Sequence, residues 1–149
     1  MDREIIKTFI PHREPMLLID EIIIDENNVA HANYYVRGDE YFLQGHFPGN
    51  PVVPGVILCE IMAQSCCLLI GDELKGKTPF YAGIEKVRFK KQVKPGDLIE
   101  IKARILSRRN LAFFVEAEAK VKGELSARGT LSFVLIENEK LSINQDVKN

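Results

Sequence analysis

Between Leu98 and Leu106 the chain alternates: Ile99, Ile101, Ala103 and Ile105 are apolar, while Glu100, Lys102 and Arg104 are charged. A period of two places successive side chains on opposite faces of a strand, so one face is buried and the other meets water. Leu111 to Val121 repeats the pattern, with Leu111, Phe113, Val115, Ala117, Ala119 and Val121 on one face, and Leu125 to Leu135 continues it after Lys122-Gly123. These segments predict an antiparallel meander, with Ser107 to Asn110 as its other turn. Upstream, the apolar and β-branched runs Met16 to Ile24 and Val29 to Val36 flank Asp25-Glu26-Asn27-Asn28 and predict a hairpin. Arg3 to Ile10 predicts a short amphipathic helix stopped by Pro11.

The segment Gly38 to Gly55 holds four glycines and three prolines, which suits a shaped loop rather than a regular element. Val56 to Ile70 follows, apolar on every side except at Glu60, Gln64 and Ser65, with Pro54 before it and Gly71 after it. Such a helix is a buried one. Asp72 to Pro79 reads as a polar connection, and the tail from about Glu137 as polar and frayed. One all-apolar helix beside one antiparallel sheet is best satisfied if the sheet curls around it. The expected class is therefore α+β, a single hot dog domain over residues 1–149.

Composition narrows the classes of partner. Twenty basic and twenty-one acidic residues give a formal net charge of −1, which leaves no global footprint for nucleic acid. The N-terminus has no apolar signal segment, and the apolar run Val52 to Ile70 is interrupted by Pro54, Glu60, Gln64 and Ser65, so the expectation is a cytoplasmic protein without a membrane span. Cys59, Cys66 and Cys67 lack metal or redox spacing and read as small buried side chains. No metal ligand set is expected from three scattered histidines.

The candidate chemistry sits between Gln44 and Gln64. From Phe47 to Ile70, Glu60 is the only charged residue, and desolvation of a lone buried carboxylate is expected to raise its pKa toward that of a general acid. His46 is the natural base, because imidazole titrates near neutrality. Gly55 stands where the loop enters the helix, and amides at a helix N-terminus lack intrahelical acceptors and can hold a polarised carbonyl oxygen. Acid, base and oxyanion donor are the requirements of β-elimination from a thioester. Gln64, one turn beyond Glu60, reads as support for the carboxylate. His12 and His31 read as structural or surface groups, and spacing leaves open whether His46 and Glu60 meet within one chain or across two.

The run Gly45-His46-Phe47-Pro48-Gly49, Pro54-Gly55-Val56, Glu60 and Met62-Ala63-Gln64 resembles the FabZ-type 3-hydroxyacyl-acyl carrier protein dehydratases of bacterial fatty acid synthesis. Pro11-His12-Arg13 through Asp20, Ala82-Gly83-Ile84-Glu85 and Pro95-Gly96-Asp97 extend the resemblance over most of the chain. It implies dehydration of (3R)-hydroxyacyl to trans-2-enoyl chains by a hot dog dimer or trimer of dimers. His46 and Glu60 would be catalytic and come from different subunits, and the Gly55 amide would polarise the thioester. It implies no cofactor, the substrate being carried on the phosphopantetheine arm of acyl carrier protein. Phe47, Val56, Gln64 and Tyr81 are candidate substrate or supporting residues. Glu60 separates this pattern from FabA-type dehydratase-isomerases, which resemble the loop but place aspartate there; added isomerase activity is one alternative and a hot dog thioesterase another. Asp39-Glu40-Tyr41-Phe42-Leu43 departs from the pattern and leaves chain-length preference open. Lys86, Arg88, Lys90, Lys91 and Lys94, with no acid among residues 86–94, read either as a solvated face or as the docking surface for an acidic carrier protein.

Overall fold

Six strands form one antiparallel sheet in the computed structural model, which describes residues 1–141. In chain order the elements are α1 (Arg3–Ile6), β1 (Glu21–Ile24), β2 (Ala30–Tyr35), α2 (Gly55–Cys67), β3 (Lys77–Phe89), β4 (Leu98–Arg109), β5 (Ala112–Val121), β6 (Glu124–Glu137) and α3 (Asn138–Leu141). The sheet order is β1-β2-β4-β5-β6-β3, so β4, β5 and β6 form the expected meander and β3 becomes an edge. The sheet packs on α2 through β2, β4, β5 and β6. This is the α+β arrangement that the alternation predicts.

The core lies between helix and sheet. Ile99, Ile101 and Ala103 of β4 and Phe113, Val115, Ala117, Ala119 and Val121 of β5 are buried, and their charged neighbours point away. Alanines recur on this face at Ala30, Ala32, Ala103, Ala117, Ala119 and Ala127, all buried, so little side-chain volume separates the sheet from the helix. From α2, Leu58, Ile61 and Met62 fill the interior. Each such buried side chain stabilises the fold by roughly 1.5–3 kcal/mol. Cys59, Cys66 and Cys67 are free and buried, as their apolar surroundings suggest.

Several boundaries differ from expectation, each because a backbone amide finds another acceptor. The first helix stops at Ile6; Thr8 and Phe9 amides donate to Ile5 and Ile6 carbonyls in a tighter turn. The strand expected from Met16 is regular only from Glu21: Met16 and Leu17 amides donate to the Arg13 carbonyl, and the Leu18 amide to Gln64 Oε1. The central helix ends at Cys67, where Leu69 and Ile70 amides take carbonyls three residues back. β3 begins at Lys77, inside the expected connection, because Lys77, Thr78 and Pro79 pair with Glu137, Ile136 and Leu135. The Ser107 to Asn110 turn shrinks to Asn110-Leu111, with Asn110 at φ 53° and a bulge between Ile105 and Ser107 absorbing the extra length. Lys122 and Gly123, both at positive φ, close the other hairpin in two residues. Glu137 is still strand and Asn138–Leu141 is helical; the rest of the tail expected to fray lies outside the described residues.

Candidate active site

The glycine-proline loop holds His46 by its backbone and its ring together. Gly45 and Gly49, at φ 81° and 71°, reverse the chain on either side, and Phe47 and Asn50 exchange backbone hydrogen bonds of 3.1 and 2.9 Å. The Val52 amide donates to the His46 carbonyl at 2.8 Å, and His46 Nδ1 lies 2.9 Å from the Val52 carbonyl. A carbonyl oxygen only accepts, so Nδ1 carries the hydrogen. Nε2 of the neutral ring is then left with its lone pair free, as a base requires. The Phe47 ring stacks on the imidazole at 4.3 Å.

The loop delivers the chain to α2. Pro54 caps it with its carbonyl, accepting from Ile57 and Leu58 at 2.9 and 3.2 Å, so the Gly55 and Val56 amides are the first helical donors without an intrahelical acceptor. A Cβ at position 55 would lie 2.9 Å from the Phe89 ring, so a larger residue there requires that ring to move. His46, Gly55, Val56, Phe89, Lys90 and Lys91 line a cavity of about 450 Å³. Val56 is 72% exposed at its rim.

Glu60 belongs to a second cavity of about 200 Å³, with His12, Gln64, Cys67, Phe80 and Tyr81. Five residues carry an α-helix through about 140°, so Gly55 and Glu60 look to different sides of α2. Within one protomer the structure therefore joins His46 to Gly55 and leaves Glu60 apart from both. Gln64, 1% exposed, does more than support the carboxylate: its Nε2 donates to Glu60 Oε1 at 3.0 Å and to the Met16 carbonyl at 2.7 Å, and its Oε1 accepts from the Leu18 amide at 2.9 Å. His12 Nε2 lies 3.3 Å from the same Glu60 Oε1. The Tyr81 ring is half-exposed, but its hydroxyl turns inward to donate to the Cys59 carbonyl at 2.9 Å. Burial, and then the charge of Glu60, push this phenol up, so it remains a neutral donor.

The balance at Glu60 corrects the expected direction. Burial pushes its pKa up, but the contacts from His12 and Gln64 to the carboxylate outweigh it, and the group lies below its ordinary value. In the single protomer Glu60 is ionised rather than held protonated.

Lys86, Arg88, Lys90, Lys91 and Lys94 are all exposed. Lys90 and Lys91 stand at the rim of the His46 cavity, and Lys91 is ion-paired with Glu124 across to β6. Lys86, at φ 52°, occupies the bulge in β3.

Residues 10–129 match the FabA-like domain. The chain belongs to the FabA-like family. Within it, the chain is similar to the 3-hydroxyacyl-acyl-carrier-protein dehydratase FabZ of Caldicellulosiruptor saccharolyticus, at 48% identity over 129 residues that span 85% of this chain and 92% of that protein. Among solved structures, the dehydratase heterocomplex ApeI:P from Xenorhabdus doucetiae covers 97% of both chains with a TM-score of 0.76 at 23% identity. A mutant of the fluoroacetyl-CoA-specific thioesterase FlK covers 87% of this chain and 99% of its own, with a TM-score of 0.67 at 17% identity. These two likenesses are of fold alone. The FabA-like span contains His12, His46, Gly55, Glu60, Gln64 and Tyr81. No helix among the described residues is long and apolar enough to cross a membrane.

His12, which the sequence reads as a structural or surface group, lies beside the carboxylate instead. Its signal was weak: a histidine in the short Pro11 to Pro15 segment, 48 residues from the carboxylate it meets, where no periodicity links the two. His31, by contrast, pairs with Asp25 at 2.9 Å on the surface, as a structural histidine should.

Proposed function

We propose that this FabA-like protein removes water from (3R)-hydroxyacyl chains carried on acyl carrier protein, giving trans-2-enoyl products in fatty acid synthesis. Each site is assembled from two copies of the chain, with His46 and the Gly55 amide from one and Glu60 from the other. The observation that carries this reading is the division between the two cavities. One holds a base with a free lone pair beside unpaired helix amides, the other holds a carboxylate, and neither completes an elimination alone.

Edge strand β3 supports the way they combine. Its Phe89 end borders the His46 cavity and its Phe80-Tyr81 end borders the Glu60 cavity, while Phe80, Tyr81, Ile84 and Phe89 are exposed along it. An unpaired edge is a template for another strand, and antiparallel pairing about a twofold axis sets the Phe89 end of one copy beside the Phe80 end of the other. The two half-sites then face each other.

In the reaction, the Gly55 N–H donates to the thioester carbonyl and His46 Nε2 takes the α-proton. The C–H electron pair becomes the Cα=Cβ bond, the C3–O bond breaks, and the hydroxyl leaves as water with a proton from Glu60. Cover by a second subunit deepens the burial of Glu60, the influence that already pushes it up, and favours the protonated form this step needs. Proton return from His46 to Glu60 resets the site. Acid, base and carbonyl donor are all side-chain or backbone groups, so the reaction calls on no cofactor beyond the carrier's phosphopantetheine arm. The exposed basic residues Lys86, Arg88, Lys90, Lys91 and Lys94, of which Lys90 and Lys91 stand at the rim of the His46 cavity, receive the acidic carrier protein. The setting is the cytoplasm, where that carrier works.

Incubation with a 3-hydroxyacyl thioester tests the reading. Conjugated enoyl absorbance without free thiol is the expected result; release of free thiol without the enoyl product overturns it in favour of hydrolysis.

A further inference from the structure

Two side-chain nitrogens, from Gln64 and His12, converge on one of the two Glu60 oxygens, Oε1. Gln64 Nε2 lies 3.0 Å and His12 Nε2 3.3 Å from Oε1. The His12 side chain is 21% exposed and that of Glu60 18%, so both sit mostly out of water, where a polar contact counts for more. His12 Nδ1 is buried and has no hydrogen-bond partner among the described residues. Of the two neutral tautomers, hydrogen on Nδ1 would leave a buried N–H without an acceptor. Hydrogen on Nε2 avoids this and aims the donor at Glu60.

The two donors belong to one locked unit. The Arg13 guanidinium donates to the carbonyls of His12, Ile10 and Lys7 at 2.7, 3.0 and 3.2 Å, which fixes the backbone of His12 to the end of α1. The Arg13 carbonyl accepts from Met16 and Leu17, and the same short segment is bound to Gln64 through the Met16 carbonyl and the Leu18 amide. A histidine that was only filling space would need neither this clamp nor a ring nitrogen directed at the carboxylate.

We infer that His12 is a positioning residue for Glu60: with Gln64 it fixes Oε1 and leaves Oε2 as the oxygen that meets the substrate hydroxyl. This rests on the proposed role of Glu60 in dehydration. When Oε2 gives its proton to the departing hydroxyl, the charge left on the carboxylate is received at Oε1 by the His12 and Gln64 N–H groups. His12 itself touches no substrate atom and transfers no proton.

Glutamine can place an amide nitrogen near the position of histidine Nε2, whereas asparagine reaches only as far as Nδ1. The expected result is that His12→Gln keeps kcat within about threefold of the parent. His12→Asn loses about 10- to 100-fold in kcat, the factor expected for one hydrogen bond to a charged group, with KM changed less than about twofold. Both variants are compared at equal folded fraction by circular dichroism. Equal losses in the two variants, or a loss confined to KM, would overturn the inference, as would an undiminished kcat in His12→Asn. Glu60→Gln, assayed alongside, separates the two levels: if it retains full activity the reading of the site itself fails, and if it alone is inactive only the role of His12 fails.

Discussion

The two cavities flanking α2 are made of different materials. Around His46 the determinants are backbone: a carbonyl that sets the ring tautomer, helix amides without acceptors, and glycines that turn the loop or yield to the Phe89 ring. Around Glu60 they are side chains, with Gln64, His12 and Tyr81 gathered from three separate parts of the chain. A backbone site depends on local loop geometry and is specified by a short contiguous motif. A side-chain site depends on long-range packing and is only as rigid as the network that holds it.

The largest effect expected is chemical and falls on both cavities equally. His46→Ala and Glu60→Gln should each lower dehydration by at least about 100-fold, the contribution of a general base or acid. Mixing the two inactive proteins should restore part of the activity, because a mixed dimer contains one intact pair; no recovery after subunit exchange would place the working pair within one chain.

Next in size is a test of the side-chain network. Gln64→Leu removes three hydrogen bonds and leaves the Leu18 amide and Met16 carbonyl without their partner. Unfolding in urea should show a loss of about 2–4 kcal/mol, since a buried group left unsatisfied costs about 1–3 kcal/mol. A change under about 0.5 kcal/mol, the range of a bland surface substitution, would mean the network does not hold the second cavity together.

The backbone site should respond in the opposite sense, losing activity more than stability. In Gly55→Ala the new Cβ collides with the half-exposed Phe89 ring, which lines the His46 cavity and must shift there. Activity should fall about tenfold, within what misplacement of reacting groups can cost, while stability changes by less than about 1 kcal/mol because the ring can move. Phe89→Leu in the same chain should recover most of the rate.

The smallest effect separates the scaffold from both cavities. Glu118 on β5 is held below its ordinary 4.5 first by its hydrogen bond from Arg128 and also by Lys120. A carboxylate whose pKa is lower folded than unfolded adds stability above the unfolded value, and that stability is lost as pH falls through the folded one. The thermal midpoint should therefore decline below about pH 4.5, and Glu118→Gln should make that decline shallower. An unchanged acid limb would show that this cross-strand pair contributes nothing.

Strand alternation in β4 to β6, the greasy helix and the shaped loop before it were legible because each is a local pattern whose period alone gives the burial. The same holds for His46 and Gly55, which share one contiguous segment with the helix they serve. Glu60 stood out as the lone charge in an apolar run, but its ionisation did not follow from that: desolvation alone points upward, and the fold adds His12 and Gln64, which reverse the direction. His12 reads as a structural or surface group for the same reason, since it meets Glu60 only after α1, the Arg13 turn and α2 have packed together. Whatever depends on neighbours within a few residues was determined by the sequence. What depends on which distant groups share a buried volume was decided only by the tertiary structure, because electrostatic balance in the interior is set by contacts that no local period encodes.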